Sequence, residues 1–120
     1  MSDTSAALER GQLYWIEWSP GRGSEQTGRR PGLVVQADPI NRSTRYTNTI
    51  VVALTTVFHP VPTHIQVEPN GENGLSQTSY VLCEQIQTIS RDRLQARIGR
   101  IDSDSLTKVD QALKRVLSLA

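Results

Sequence analysis

The sequence is poor in the features that define several common protein classes. Its single cysteine, Cys83, cannot form an internal disulfide, which is typical of proteins in a reducing compartment. No apolar run approaches the ~20 residues that a membrane-spanning helix needs. The first eleven residues carry neither a basic segment nor an apolar core, so we expect no secretion signal. These absences favour a cytoplasmic protein without membrane contact.

An excess of one charge is also missing. The chain has 13 basic and 12 acidic residues and a formal net charge of +1, which argues against a polybasic nucleic-acid binder. Lysine is scarce, because all basic residues except Lys108 and Lys114 are arginines. Arginine presents a planar fork of donors that fits phosphate oxygens. A GC-rich genome produces the same bias, so composition leaves both explanations open.

At 120 residues the chain has room for one domain and one modest core. We predict a flexible N-terminal tail over residues 1–10 and a single domain over residues 11–120. Six short apolar or β-branched segments follow the tail, at residues 11–18, 31–36, 47–55, 63–67, 79–89 and 96–101. No helical pattern separates the early segments, which argues against a βαβ fold.

The last segment changes to helical spacing, with an N-cap at Asp102 or Ser103. The predicted fold is therefore mainly β with α. It is a curled antiparallel sheet of five to seven strands, closed into a small barrel-like core, with a C-terminal α-helix over one opening.

The segment GRGSEQTGRRP, residues 21–31, is the most suggestive loop. Its glycines let a ligand approach the backbone, and its three arginines can neutralise phosphate. Residues 22–45 hold five arginines against two acidic residues, a local excess of +3. The segment lacks the pattern GxxxxGK[ST] and opens no helix, which excludes the common nucleotide-binding loops. From composition alone, a solvated hairpin loop is the favoured interpretation.

Other polar residues lie at strand ends or interrupt strands. Thr55 closes the third segment, a rigid place for a site residue, although ordinary β-propensity also explains it. Glu84 and Gln85 interrupt an apolar strand, so they need partners or must face a cleft. His59 and His64 show no metal-ligand spacing, and the sequence gives little support for a two-histidine acid–base pair.

Several of these blocks, taken in order, resemble the MazF/PemK toxin family. They are GSEQTGRRPGLVVQ, TNTIVVALTT, PTH, VLCEQIQTI, IGRI and VDQALKRVLSL, which together cover about residues 10–119. The likeness is greater to the MazF branch than to PemK. It implies an SH3-like barrel that works as a homodimer and is the toxin of a toxin–antitoxin pair with a MazE-like antitoxin. It also implies cleavage of single-stranded RNA, usually mRNA, without metal or cofactor, leaving 2′,3′-cyclic phosphate and 5′-hydroxyl ends.

The resemblance also implies roles for individual residues. Arg30 would be the main catalytic group and Thr55 would hold the phosphate. The expected RNA-binding residues are Ser24, Glu25, Gln26, Arg29, Glu84 and Gln85.

The chain departs from PemK, which has a histidine in place of Ser24 and an Arg–Cys–Asp triplet in place of residues 82–84. The general base therefore stays open between Glu84 and Glu25. Two alternative functions are a small barrel that binds RNA or protein without catalysis, and a toxin that poisons a topoisomerase. The set formed by GSEQ, the RRP block and Thr55 favours the ribonuclease.

Overall fold

The computed structural model describes residues 8–18 and 28–120. Within these ranges the chain forms one six-stranded antiparallel sheet with the order β4-β5-β3-β2-β1-β6. The strands are β1 (Gln12–Trp18), β2 (Gly28–Val34), β3 (Asn48–Thr55), β4 (His64–Val67), β5 (Ser79–Ser90) and β6 (Leu94–Arg100). The predicted fold class, a curled antiparallel sheet followed by a C-terminal helix, is confirmed.

Short helical segments connect or follow the strands. The one-turn helix α1 (Asp38–Asn41) lies between the second and third predicted segments, and a 3-10 turn (Arg91–Arg93) links β5 to β6. Helix α2 (Ser103–Leu117) begins as predicted, because the Asp102 side chain caps it by accepting a hydrogen bond from the Ser105 amide at 3.0 Å. No helix in the two described ranges is long and apolar enough to cross a membrane.

The sheet is buried on both faces. Helix α2 places Val109 and Ala112 against one face, where they join Leu13 of β1, and we call this the helix face. Tyr14 and Ile16 belong to a second cluster, on the opposite face. Because successive residues of a strand point to opposite faces, apolar residues of β1 belong to both clusters.

Strand β2 differs from the prediction, because it begins at Gly28 instead of residue 31. Its ladder with β1 continues without a break to the pair Trp18–Gly28. Arg29 and Arg30 therefore lie on a strand and not in the predicted loop. The local composition of glycine and arginine suggested a loop, but pairing with a neighbouring strand overrides that preference.

Gly32 of β2 packs against the side chain of Ile16 of β1. A Cβ atom at this position would overlap the end of the Ile16 side chain, so any larger residue would force that side chain to move. Gly32 is also the residue nearest the N-terminus of β2 that still pairs with β3. Beyond it the β3 side of β2 is open, and Pro31, which has no backbone N–H, is tolerated there.

The chain is packed from Leu8 onward within the described residues. Leu8 is only 5% exposed and belongs to the cluster on the opposite face. Arg10 forms an ion pair with Asp110 of α2 at 2.6 Å, and its amide donates to the Asp38 side chain at 2.7 Å. Two residues of the predicted tail are therefore held in the fold, Leu8 by the sheet and Arg10 by α1 and α2.

Cys83 is a packed thiol, fully buried in the cluster of the helix face. Burial, with smaller contributions from Glu84 and Asp110, raises the pKa of the thiol to about 12. The thiol is therefore protonated at neutral pH and unreactive towards alkylating agents.

We predict that the folded protein resists iodoacetamide at pH 8 and reacts fully in denaturant, as measured by intact mass. Cys83→Ser should lower the free energy of unfolding by ~1–3 kcal/mol, because it buries a hydroxyl in an apolar cluster. Stoichiometric alkylation of the folded protein would contradict this assignment.

Candidate active site

The candidate site arises where β3 loses regular pairing with both of its neighbours. On one side, β2 pairs with β3 at only three positions, which end at Gly32 and Ala53, so the two strands separate beyond them. On the other side, only Ala53 lies between Val52 and Leu54, whereas four β5 residues, 82–85, lie between their partners Ile86 and Val81. The surplus β5 residues form a large bulge. Bulges of this kind commonly re-aim side chains beside functional sites.

The gap between β2 and β3 contains a small cavity, which we call the seam cavity. It has a volume of about 80 Å³ and is lined by Arg30, Pro31, Leu54, Thr55, Thr56 and Ser79. The two residues predicted to be catalytic, Arg30 and Thr55, therefore line one cavity although they come from distant blocks of the sequence.

Local contacts hold both residues in place. The Arg30 carbonyl accepts a hydrogen bond from the Trp18 indole at 3.2 Å, which fixes the backbone of β2 beside the gap. The Thr55 hydroxyl oxygen accepts from the Val57 amide at 3.2 Å. A hydroxyl used in this way keeps its own hydrogen to donate to a ligand. The pair thus offers a cation and a neutral donor, which suits a phosphate group.

A larger cavity of about 380 Å³ adjoins the first, and we call it the histidine cavity. It is lined by Thr55, His59, Val61, His64, Leu82, Glu84 and Gln85. Thr55 belongs to both cavities and so forms their common wall. The predicted RNA-binding residues Glu84 and Gln85 therefore face a cleft, which is one of the two outcomes expected from their sequence context.

Glu84 is held by two donors in this cavity. One carboxylate oxygen lies 2.6 Å from Nε2 of His64, and the other accepts from the Thr63 hydroxyl at 3.0 Å. Burial raises the pKa of Glu84, but the hydrogen bonds from His64 and Thr63 outweigh it and leave the pKa below its usual value. Glu84 is therefore an ionised acceptor at neutral pH.

The sequence analysis did not predict that His64 contributes to this site. Its side chain is only 7% exposed, and its Nδ1 atom is buried without a hydrogen-bond partner among the described residues. Its ring contacts His59 edge to face, with centroids 5.9 Å apart. The histidine of the PTH block was the available signal, but its partner Glu84 is 20 residues away and only the pairing of β4 with β5 joins them.

Arg29 lies apart from Arg30 because neighbouring strand residues point to opposite faces. Its Nε donates to the Gln95 side chain of β6 at 2.6 Å, and its guanidinium carbon lies 4.5 Å from the centre of the Trp15 ring. Arg29 is therefore held on the face of the sheet to which Trp15 of β1 also points. It is not among the residues that line the seam cavity.

The remaining predictions concern the loop before β2 and metal binding. Ser24, Glu25 and Gln26 lie outside the described residues. Across residues 8–18 and 28–120, no group of three or more histidine, cysteine or carboxylate side chains is arranged to hold a metal ion.

Comparison with known proteins places this site in context. Residues 9–117 match the family model described as the PemK-like, MazF-like toxin of type II toxin–antitoxin systems. The chain belongs to this family. It is 39% identical over 114 residues to "Endoribonuclease EndoA" of Bacillus subtilis (strain 168), an alignment that covers 93% of this chain and 96% of that protein. The family resemblance predicted from the sequence is confirmed.

Solved structures agree with the fold. An endoribonuclease in complex with its cognate antitoxin from a mycobacterial species has a TM-score of 0.78 at 29% identity and covers 95% of this chain and 98% of its own. MazF (Form-I) from Deinococcus radiodurans also has a TM-score of 0.78, at 25% identity, covering 93% and 97%. These likenesses favour the ribonuclease over the binding module and the topoisomerase poison.

We predict that Glu84→Gln destabilises the protein at pH 7 by less than ~1 kcal/mol, since the carboxylate is partly exposed. Gln mimics the protonated carboxyl. Because the folded pKa of Glu84 is lowered, the stabilisation exists above the unfolded carboxyl pKa and disappears as pH falls through the folded value. The difference in urea unfolding between wild type and variant should therefore be smaller at pH 3 than at pH 7.

Two controls make this test specific to the pair. In a His64→Ala background the effect of Glu84→Gln should shrink, because the principal donor is gone. Glu72→Gln, at an exposed carboxylate in the β4–β5 connection, should show no comparable loss at pH 7. A Glu84→Gln effect that is the same at both pH values would contradict the assignment.

Proposed function

We propose that this toxin endoribonuclease cleaves single-stranded RNA at the gap between β2 and β3, with the scissile phosphate held by Arg30 and Thr55. The observation that carries the proposal is that these two residues, one from the RRP block and one from the end of β3, line the same seam cavity. A cation beside a hydroxyl donor is the chemistry that a phosphodiester requires.

RNA brings its own nucleophile to this site. The 2′-hydroxyl attacks the adjacent phosphorus, the bond to the 5′-oxygen breaks, and that oxygen takes up a proton. The products are a 2′,3′-cyclic phosphate and a 5′-hydroxyl. Arg30 stabilises the negative charge that builds on the phosphorane oxygens, and Thr55 donates to one of them. Arginine is a poor proton donor because its pKa is so high, so charge stabilisation is its principal role.

Glu84 is better suited to holding RNA than to removing the 2′-hydroxyl proton. A general base works best with a pKa near the working pH, whereas the hydrogen bonds from His64 and Thr63 lower the pKa of Glu84. Its carboxylate oxygens can accept hydrogen bonds from base amino groups or sugar hydroxyls in the histidine cavity. Of the two candidates for the base, this argument disfavours Glu84.

The natural partners follow from the family. The mycobacterial relative was solved with its cognate antitoxin, and we propose that a MazE-like antitoxin likewise binds and silences this chain. We also propose that the chain works as a homodimer in the cytoplasm. A two-fold dimer would place two clefts beside one interface, which extends the surface available to a single RNA strand. The lone cysteine is consistent with a reducing compartment.

Cleavage should need no metal ion, because Arg30 supplies the charge at the phosphate. We predict that a long RNA is cut equally well with and without excess chelator, as measured by gel electrophoresis. Replacing the 2′-hydroxyl at a mapped cut site by hydrogen should abolish cutting at that site, because the nucleophile is gone. Loss of cutting in chelator would overturn this mechanism.

Arg30→Ala should lower the single-turnover rate by ~10²–10³, the usual cost of removing one transition-state charge donor. Thr55→Ala should cost less. Arg29→Ala should mainly weaken RNA binding and reduce its salt dependence. Arg115→Ala, which removes the same charge from the last turn of α2, is the matched control and should change neither quantity. If Arg29→Ala slows single-turnover cleavage as much as Arg30→Ala, the roles are assigned wrongly.

The dimer and the antitoxin are tested separately. Light scattering at micromolar concentration should give twice the chain mass of 13.3 kDa, and a mass near that of one chain would refute the dimer. The product of the adjacent small open reading frame should inhibit RNA cleavage when titrated against the toxin. Tight binding of that product with continued cleavage would contradict inhibition at the RNA groove.

A further inference from the structure

A third cavity extends the seam cavity onto the helix face of the sheet, and we call it the Trp15 cavity. It has a volume of about 290 Å³. Three residues, Pro31, Thr56 and Ser79, line both the seam cavity and the Trp15 cavity. The seam cavity therefore adjoins the Trp15 cavity on one side and, at Thr55, the histidine cavity on the other.

Trp15 gives this cavity an aromatic wall. The ring is half-buried, and the guanidinium of Arg29 lies over it at 4.5 Å. Because Gln95 anchors Arg29 at 2.6 Å, the cation and the ring form a fixed pair. A flat aromatic surface beside a cation is the arrangement with which proteins bind single-stranded nucleic acid, stacking the base and neutralising the phosphate.

The opposite wall is preformed. It belongs to the connection between β4 and β5, whose fully buried Asn73 accepts hydrogen bonds from the Asn70 and Leu75 amides at 3.1 and 3.0 Å. The Asn73 amide group also donates to the Glu68 carbonyl at 2.8 Å. At Gly99 of β6, a Cβ atom would overlap the backbone of this connection, so the two segments are in direct contact. A wall fixed in this way costs little ordering when a ligand binds.

The chemistry of the Trp15 cavity differs from that of the histidine cavity. None of the described residues that line it is charged, and its walls combine Trp15, Leu75 and Ile98 with hydroxyl and amide groups. The histidine cavity instead contains the ionised Glu84. A neutral aromatic cavity accepts any base by stacking, whereas a carboxylate favours a base with an amino group to donate.

We propose that the Trp15 cavity is a nucleobase subsite, in which a base beside the scissile phosphate stacks on Trp15 while Arg30 and Thr55 hold the phosphate. This inference rests on the proposed ribonuclease function. RNA is favoured over an antitoxin peptide as the occupant because the cavity shares three lining residues with the seam cavity, where Arg30 and Thr55 would hold the phosphate.

The test joins a protein change to a matching change in the RNA. A site that the wild-type protein cuts is mapped in a long RNA and made as a short oligonucleotide with 2′-deoxyribose at the cut, so that binding is measured without cleavage. Abasic residues then replace each base in turn. Trp15→Leu should weaken binding of the intact oligonucleotide by ~5- to 100-fold, the range for loss of one stacked base.

The decisive result is coupling between the two changes. Removing the base at one position beside the cut should weaken binding to the wild-type protein. In Trp15→Leu the same abasic change should cause no further loss of binding, because the stacking partner is already absent. Trp15→Phe should retain part of the coupling. Tyr46→Leu, at an exposed aromatic that lines a separate cavity, is the control and should bind RNA as wild type does.

Several outcomes would overturn the subsite. Additive losses at every abasic position, or unchanged RNA binding by both Trp15 variants with intact circular dichroism, would show that no base stacks there. Normal RNA binding by Trp15→Leu with weakened binding of the antitoxin would assign the cavity to the protein partner. If the wild-type protein cuts no RNA, the proposed function itself fails, which is a distinct result from cutting without coupling.

Discussion

The site depends on how the sheet interrupts its pairing around the end of β3. Regular antiparallel pairing on both sides would fill this part of the sheet with backbone hydrogen bonds and leave no cavity. Instead β2 leaves β3 beyond Gly32, and β5 places four residues opposite one. The first interruption opens the seam cavity, and the second carries Glu84 and Gln85 to the histidine cavity. Buried clusters on both faces of the sheet stabilise these irregular segments.

Strand alternation then separates the roles of two adjacent arginines. Arg30 lines the seam with Thr55, whereas Arg29 is fixed on Trp15 and Gln95. Because β2 lies between these environments, a single strand carries Arg30, the proposed phosphate-binding group, on one side and a stacked cation on the other. Under the proposed function, a flexible single strand of RNA would use both sides of this gap, whereas a stiff duplex would fit such a path poorly.

Sequence alone predicted the features that depend on local patterns. Short apolar and β-branched segments located the strands to within a few residues, and Asp102 marked the start of α2. The ordered blocks identified the family. The predictions failed or were silent where a distant partner decides the outcome: Arg29 and Arg30 read as loop because their pairing with β1 is not visible locally. The contact between His64 and Glu84 likewise depends on the register of β4 on β5 and on a bulge that no local pattern reveals.

The chemical identity of the new RNA ends tests the account most directly. A short RNA with one mapped cut site is incubated with the protein, and both fragments are analysed by mass spectrometry. Attack by the 2′-hydroxyl at a phosphate held by Arg30 and Thr55 predicts a 2′,3′-cyclic phosphate on the upstream fragment and a 5′-hydroxyl on the downstream one. A 3′-hydroxyl with a 5′-phosphate would mean that water, and not the RNA, is the nucleophile, and would contradict the account.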